Sequence, residues 1–231
     1  MAEEKVELFN AAVCPFCHRT RLTLLEKGAD FFITEIDLDD KPDWLPSVSP
    51  NGAVPAIRHG RVNLWESTVI NEYLEDVFPT PLLMPQDPAE RALARIWINF
   101  ADGPFVKSFY RLLLEQEERE QHAWCERFES NLQRIEEGLG RPGNPGPYWF
   151  GEELTLTDIT LYPWFERWPV LAHYRGLEPP RELSNLMRWW QTMSERNSVI
   201  EDSQKAEFYI DKYSKYADGT TQSGTAREMK E

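Results

Sequence analysis

The stretch from Val6 to Gly28 constrains this chain more than any other. A short strand-like run, Val6-Glu7-Leu8-Phe9, leads into Cys14-Pro15-Phe16-Cys17. A helix-like run, Leu22-Thr23-Leu24-Leu25-Glu26-Lys27, follows and is closed by Gly28. Pro15 suits the first helical position, where its missing N–H takes nothing from the helix. Cys14 then falls at the N-cap, beside backbone N–H groups that have no acceptor inside the helix. Those dipoles favour an anion, and a thiolate is an anion. The spacing sets Cys14 and Cys17 about one turn apart on one helix face, close enough for a disulfide or a thiol-exchange step.

A strand, a Cys-Pro-aromatic-Cys turn and a helix form the arrangement of thioredoxin-like redox domains, and the segments that follow suit one. Phe31-Phe32-Ile33-Thr34-Glu35-Ile36 is rich in β-formers, which makes a βαβ unit of the first 36 residues. Lys41 to Val48 reads as a short polar helix or loop, ended by the turn signal Ser49-Pro50-Asn51-Gly52. Residues 53–58 and 61–65 read as a hairpin turning at His59-Gly60. Pro55 lies inside the first of these strands, where it cannot donate to a ladder; a cis Val54-Pro55 bond would instead aim the Val54 backbone at a ligand. A helix from near Glu66-Ser67 is expected to bury Val69, Ile70, Tyr73, Leu74 and Val77 and to end at Phe78-Pro79. Two other readings of the cysteine pair are buried structural thiols and half of a zinc site. Zinc needs two more ligands, and Cys125 with the scattered His18, His59, His122 and His173 offers no matching spacing, so no metal is expected.

Prolines at 79, 81, 85 and 88 mark a connector over 79–88. It separates an α/β domain, residues 1–78, from an all-helical domain, residues 89–216. Helices are expected from 89 to about 118 and from 121 to about 139, the second burying Trp124, Phe128, Leu132 and Ile135. The Gly- and Pro-rich loop 140–147 lacks the Gly-Lys-Ser/Thr ending of a phosphate loop. Leu154 to Ile159 is a strong helix start, with Thr155 as N-cap, Asp158 at the third position, and Leu154 and Ile159 as a hydrophobic staple. That helix should run through Tyr162, Phe165 and Trp168, and two more should cover about 182–196 and 198–216. Residues 217–231 are polar and predict a disordered tail.

At 231 residues and 41% hydrophobic content the chain can fill a real core. No apolar run approaches the roughly 18 to 20 residues of a membrane helix, so no membrane partner is expected. Met1-Ala2-Glu3-Glu4 lacks the basic start and apolar core of a signal peptide, which makes the cytoplasm the expected location. Three cysteines do not make a disulfide framework and suit a reducing compartment. With 25 basic against 39 acidic residues, a net charge of -14 argues against nucleic acid as a partner. A local positive pocket can still hold a small anion.

Taken together, the thioredoxin-like domain, the proline-rich connector and the helical domain with its capped internal helix resemble the cytosolic glutathione transferases from about residue 5 to 216. Cys-Pro-Phe-Cys followed by His-Arg-Thr-Arg, Asp-Lys-Pro at 40–42, Pro-Asn-Gly-Ala-Val-Pro at 50–55 and Trp-Glu-Ser at 65–67 look most like the omega and lambda classes. These classes use a cysteine where others use tyrosine or serine. The resemblance implies glutathione as cosubstrate and a thiol transferase activity, including deglutathionylation and dehydroascorbate reduction. It implies that Cys14 forms a mixed disulfide with glutathione, that Val54 pairs with the cysteinyl backbone beside a cis Pro55, and that Phe16 flanks the site. Glu66 and Ser67 would hold the γ-glutamyl end, and Lys41 the glycyl carboxylate. These assignments also make chemical sense, since an acid suits an ammonium and a Lys or a helix-start hydroxyl suits a carboxylate. Taken alone, Glu66 and Lys41 would more often be solvated charges.

An acceptor pocket, for a small hydrophobic or disulfide-containing molecule, is expected between the domains. Its walls would be Phe16 with Trp97, Phe100, Tyr110, Tyr162, Phe165 and Trp168, and core packing is the competing reading for each ring. Pro163 should kink its helix. Cys17 departs from many omega-type proteins. It leaves open a dithiol route or an off-pathway disulfide beside the monothiol route in which glutathione attacks the Cys14 adduct. The resemblance also implies a homodimer. The alternative function on the same fold is a weakly catalytic or non-catalytic binding protein for aromatic ligands or protein partners.

Overall fold

Alternation along one strand organises the N-terminal part of the molecule. In the computed structural model, which describes residues 4–230, Val6–Asn10 (β1) pairs in parallel with Phe31–Glu35 (β2), Val6 opposite Phe31, across the helix Pro15–Lys27 (α1). On its other side β1 pairs antiparallel with Ala56–His59 (β3), which turns into Val62–Trp65 (β4), giving the order β2-β1-β3-β4. Successive side chains of a strand face opposite sides. Val6 and Leu8 therefore join Leu24 of α1, Ile57, and Ile70 and Leu74 of the helix Ser67–Val77 (α2) in one core. Phe9 points the other way and packs with Ile36, Leu45, Val48 and Ala56. The segment 41–48 holds only a single 3-10 turn, Leu45–Ser47. Gly28 closes α1 at φ 58°, a left-handed cap that glycine adopts without a Cβ clash.

Two details of this unit differ from expectation. β3 begins at Ala56, after Pro55, so the proline precedes the ladder and interrupts nothing; the Val54-Pro55 bond itself is cis, as expected. In α2, Val69 and Val77 are 54% and 39% exposed, while Ser67, Asn71 and Glu75 are buried. Each buried polar residue has a partner on α1: Arg19 Nη1 donates to Ser67 Oγ at 3.3 Å, Thr20 Oγ1 to Asn71 Oδ1 at 3.1 Å, and Lys27 Nζ to Glu75 Oε2 at 2.5 Å. Glu75 also accepts the N–H groups of Leu83 and Met84, which fastens the connector. The chain divides into two compact units, Met1–Met84 and Pro85–Glu231.

The second unit is helical. Asp87 caps Pro88–Phe100 (α3), accepting from the N–H groups of Ala89 and Glu90. The single helix expected over 89–118 is instead α3, a π-helical turn Ala101–Phe105, and Val106–Leu114 (α4). Pro104 has no N–H to give and would clash with the preceding turn, which the wider π turn relieves. Glu118–Leu139 (α5) buries Phe128, Leu132 and Ile135. Trp124 is only half-buried, with the guanidinium groups of Arg111 and Arg127 at 4.7 and 4.3 Å from its ring. Leu156–Glu166 (α6) ends before Trp168, which opens Trp168–Arg175 (α7) with Pro169 as the second residue. Ser184–Ser194 (α8) follows. The long helix expected over 198–216 is three short ones, Asn197–Asp202 (α9), Ala206–Lys212 (α10) and Ser214–Ala217 (α11). Ser203 and Lys205 are extended, and the intervening Gln204 N–H binds Glu166. The tail, expected to be disordered, carries a helix, Gly224–Lys230 (α12), against α4, with Ala226 buried. A single small apolar residue in a polar run gives little sequence signal for that docking.

Candidate active site

Cys14 is the N-cap residue of α1, with extended backbone (φ −72°, ψ 121°) and Pro15 as the first helical residue. It is 9% exposed, and its Sγ lies 3.7 Å from the carbonyl oxygen of Val54, to which it donates. Ala11, Cys14 and Cys17 form a small cluster with Phe16 and Val54 packed against it. Cys17 is fully buried, and its sulfur accepts the Ala11 N–H at 3.4 Å. Burial pushes the Cys17 thiol well above its ordinary value, and the hydrogen bond and charge of the neighbouring Cys14 push it further. Neither cysteine is in a disulfide. The two sulfurs of the motif are thus unequal: one stands at a helix mouth, the other is held protonated behind it.

The loop that presents Cys14 is shaped by a hydrogen-bond network that runs from exposed Glu35 to buried Arg21. Glu35 at the end of β2 accepts from the Asn10 amide and from the Ala12 N–H, both at 2.6 Å. Arg21 donates to Asn10 Oδ1 at 2.7 Å, and the Cys14 N–H binds the Ala11 carbonyl at 2.9 Å. Arg19, fully buried, has its guanidinium 5.2 Å from the centre of the Phe16 ring and reaches Ser67 from below. Glu35, Arg19 and Asn51 were not singled out from sequence as site residues. Their roles depend on strand register and helix pairing that no local pattern encodes.

The remaining predicted site residues of the first unit gather on neighbouring loops. Lys41 Nζ donates to the Gly52 carbonyl at 2.8 Å, two residues before Val54. Glu66 has φ 70° and ψ 111°, the one positive φ among the described non-glycine residues. Its carboxylate accepts from Asn51 Nδ2 at 3.1 Å, and Ser67 opens α2 beside it. An extended ligand paired with the Val54 backbone would have a carboxylate at one end of this bed and a helix N-terminus with a hydroxyl beside it. Lys41, held on the Gly52 carbonyl, adds a cation to the same loop. Among the described residues no three or more His, Cys, Asp or Glu side chains are arranged to hold a metal ion.

Of the rings proposed as acceptor walls, Phe16 lies in the first unit beside Cys14, and the other six lie in the helical unit. Phe100, Tyr110, Tyr162, Phe165 and Trp168 are between 1% and 4% exposed. Phe165 stacks on Phe105 and Trp168 and meets Trp189 and Trp190 edge-on. Tyr110 sits with Tyr213 and Tyr216. Trp97, half-buried, contacts Phe100 and Trp149 at 5.4 and 4.7 Å between ring centroids. Core packing is what the structure shows for Phe100, Tyr110, Tyr162, Phe165 and Trp168, because a helical bundle of this size needs large rings to fill its centre.

Residues 13–77 match the model of the glutathione S-transferase N-terminal domain, and residues 92–191 that of the C-terminal domain. Glutathione S-transferase omega-1 of Sus scrofa is 30% identical over 176 residues, spanning 73% of this chain and 69% of the relative. The protein named "Probable glutathione S-transferase DHAR1, cytosolic" of Oryza sativa subsp. japonica is 30% identical over 200 residues, 85% of this chain and 87% of its own length. The crystal structure of glutathione transferase Omega 3C from Trametes versicolor superposes with a TM-score of 0.85 at 31% identity, covering 96% of this chain and 94% of that one. With the four-stranded sheet, the cysteine at the mouth of α1 and the helical second unit, these matches place the chain in the glutathione S-transferase family.

Proposed function

We propose that this glutathione transferase is a monothiol transferase and reductase acting through Cys14. The observation that carries the reading is the inequality of the two sulfurs, with Cys14 at the N-cap of α1 and Cys17 fully buried behind it. In deglutathionylation, the Cys14 thiolate attacks the glutathionyl sulfur of a mixed disulfide. The S–S bond breaks, the acceptor leaves as a thiolate and takes a proton, and Cys14 carries glutathione as a disulfide. A second glutathione thiolate then attacks the glutathionyl sulfur, releasing oxidised glutathione and the Cys14 thiolate. With dehydroascorbate, the acceptor gains two electrons and two protons as Cys14 and one glutathione join in the same disulfide. The second glutathione again restores the enzyme.

Glutathione is proposed to lie with its cysteinyl backbone on Val54 beside Pro55, its γ-glutamyl end at Glu66 and Ser67, its glycyl carboxylate at Lys41, and Phe16 at its side. The acceptor is a small hydrophobic or disulfide-containing molecule. A reducing compartment, the cytoplasm, keeps both thiols available, and by family likeness we place two copies in a homodimer.

Incubation with oxidised glutathione followed by intact-protein mass measurement tests the reading. The expected product is one glutathione on Cys14. Cys14→Ser should lose thiol transfer by about 100-fold or more, as expected on removing a covalent nucleophile, whereas Cys17→Ser should keep most of it. An internal disulfide in place of the adduct, or a Cys17→Ser enzyme as inactive as Cys14→Ser, would overturn it.

A further inference from the structure

We infer that Asn51 is a positioning residue for recognition of the γ-glutamyl end of glutathione: its amide fixes the Glu66 carboxylate while its carbonyl holds the turn that carries Val54. The inference rests on the reading of Glu66 as the partner of the γ-glutamyl ammonium. Asn51 Nδ2 donates to Glu66 Oε1 at 3.1 Å. Its Oδ1 accepts from the Ala53 N–H at 3.0 Å and from the Ser49 hydroxyl at 2.8 Å. The Ala53 contact is an Asx turn, in which the side chain replaces a backbone carbonyl two residues back. One side chain therefore ties the Pro50–Val54 loop, which Lys41 also grips through Gly52, to the residue that heads α2.

Glu66 needs such a tie. Its positive φ is unusual for a residue with a Cβ, and backbone of this kind persists where surrounding groups determine it. The contact is exposed, so water competes with it and it adds little on its own. A bound tripeptide would cover Glu66 and exclude that water, and a carboxylate already aimed needs no reordering at the moment of binding. The amide takes one oxygen of the carboxylate and leaves the second for the ammonium. A simple turn asparagine would need only the Oδ1 contacts; the Nδ2 bond across to α2 is what connects the loop to the ligand.

Asn51→Ser separates the two contacts. A serine hydroxyl can still accept from the N–H two residues on, keeping the turn, and is too short to reach Glu66. The substrates are the mixed disulfide of 2-mercaptoethanol with glutathione and the same disulfide made with cysteinylglycine, which lacks the γ-glutamyl group. Asn51→Ser should raise KM for the glutathione disulfide roughly 5- to 10-fold, the scale of one charge-assisted hydrogen bond. Both kcat and the KM of the cysteinylglycine disulfide should stay within about twofold, since neither depends on the γ-glutamyl contact. In a Glu66→Ala background the same change should add less than about twofold, because the group it acts through is gone. Asn51→Ala gives up the turn contacts as well, so it should raise KM for both disulfides but more for the glutathione disulfide, and it serves if the serine variant folds poorly. An unchanged KM in both Asn51 variants, or an equal rise for the two disulfides, overturns the positioning role. A Glu66→Ala enzyme with unaltered KM for the glutathione disulfide would show instead that the Glu66 contact itself is misassigned.

Discussion

Glu66 joins two properties that normally oppose each other, a strained backbone and a carboxylate that we propose binds the γ-glutamyl ammonium. A non-glycine residue at φ 70° costs about 1–3 kcal/mol relative to ordinary backbone. Replacing it with glycine removes the Cβ clash, although glycine gives back about 0.5–1 kcal/mol through the freer unfolded chain. Glu66→Ala keeps the clash and loses the same carboxylate. Urea denaturation should therefore find Glu66→Gly more stable than Glu66→Ala by about 1 kcal/mol, while both variants lose the stabilisation that added glutathione gives the wild type. If Glu66→Gly is the less stable of the two, the strain is not held at this residue. Cys14 and Cys17 make a related point. The C-x-x-C spacing presents them as equivalents, and only their depths in the fold, helix mouth against buried first turn, assign different chemistry to each.

At the scale of one element, α6 shows how a single carboxylate can hold together distant segments. Asp158 is fully buried and accepts from the Thr155 N–H at 2.8 Å and hydroxyl at 2.7 Å, from the Trp149 N–H at 2.8 Å and from Trp189 Nε1 at 2.8 Å. Burial pushes its carboxyl up, and these donors oppose that shift. Asp158→Ala would strand four donors in the core, and losing them should destabilise the protein by about 3–5 kcal/mol. Asp158→Asn keeps one acceptor oxygen and should fall between that variant and the wild type in denaturant midpoint. The start of α6 was legible in the sequence because Thr155, Asp158 and the Leu154–Ile159 pair lie within six residues, and the βαβ unit was legible for the same local reason. The face of α2 was not. Hydrophobic period put Val69 and Val77 inside, yet Ser67, Asn71 and Glu75 take the buried places because α1 supplies Arg19, Thr20 and Lys27 as partners. The site followed the same division. Cys14, Glu66 and Ser67 sit in recognisable local motifs, whereas Asn51 and Glu35 acquire their roles only when loop and strand meet.

For the whole molecule, charge and apolar surface pull the proposed homodimer in opposite directions. Single exposed apolar residues are ordinary. On α3, however, Leu93 and Ile96 are three residues apart, hence neighbours on one face, and both are about half-exposed; on β4 and α2 of the other unit, Val62, Trp65 and Val69 are also exposed. Burying such side chains against a second copy removes apolar area from water at about 25 cal/mol per Å². Each chain carries a formal charge of -14, so two copies repel over distances longer than the contact itself. Salt shortens the reach of that repulsion, from about 14 Å at 0.05 M to about 4 Å at 0.5 M by Debye scaling, and leaves apolar burial intact. Sedimentation should accordingly find a species of twice 27.0 kDa whose dissociation constant falls several-fold as sodium chloride rises over that range. Ile96→Glu, which adds charge where the apolar face is needed, should move the equilibrium toward the 27.0 kDa protomer. A wild-type protein that stays at the protomer mass at every salt concentration rules out the homodimer. A dimer that dissociates on adding salt would mean that ion pairs, not Leu93 and Ile96, hold it together.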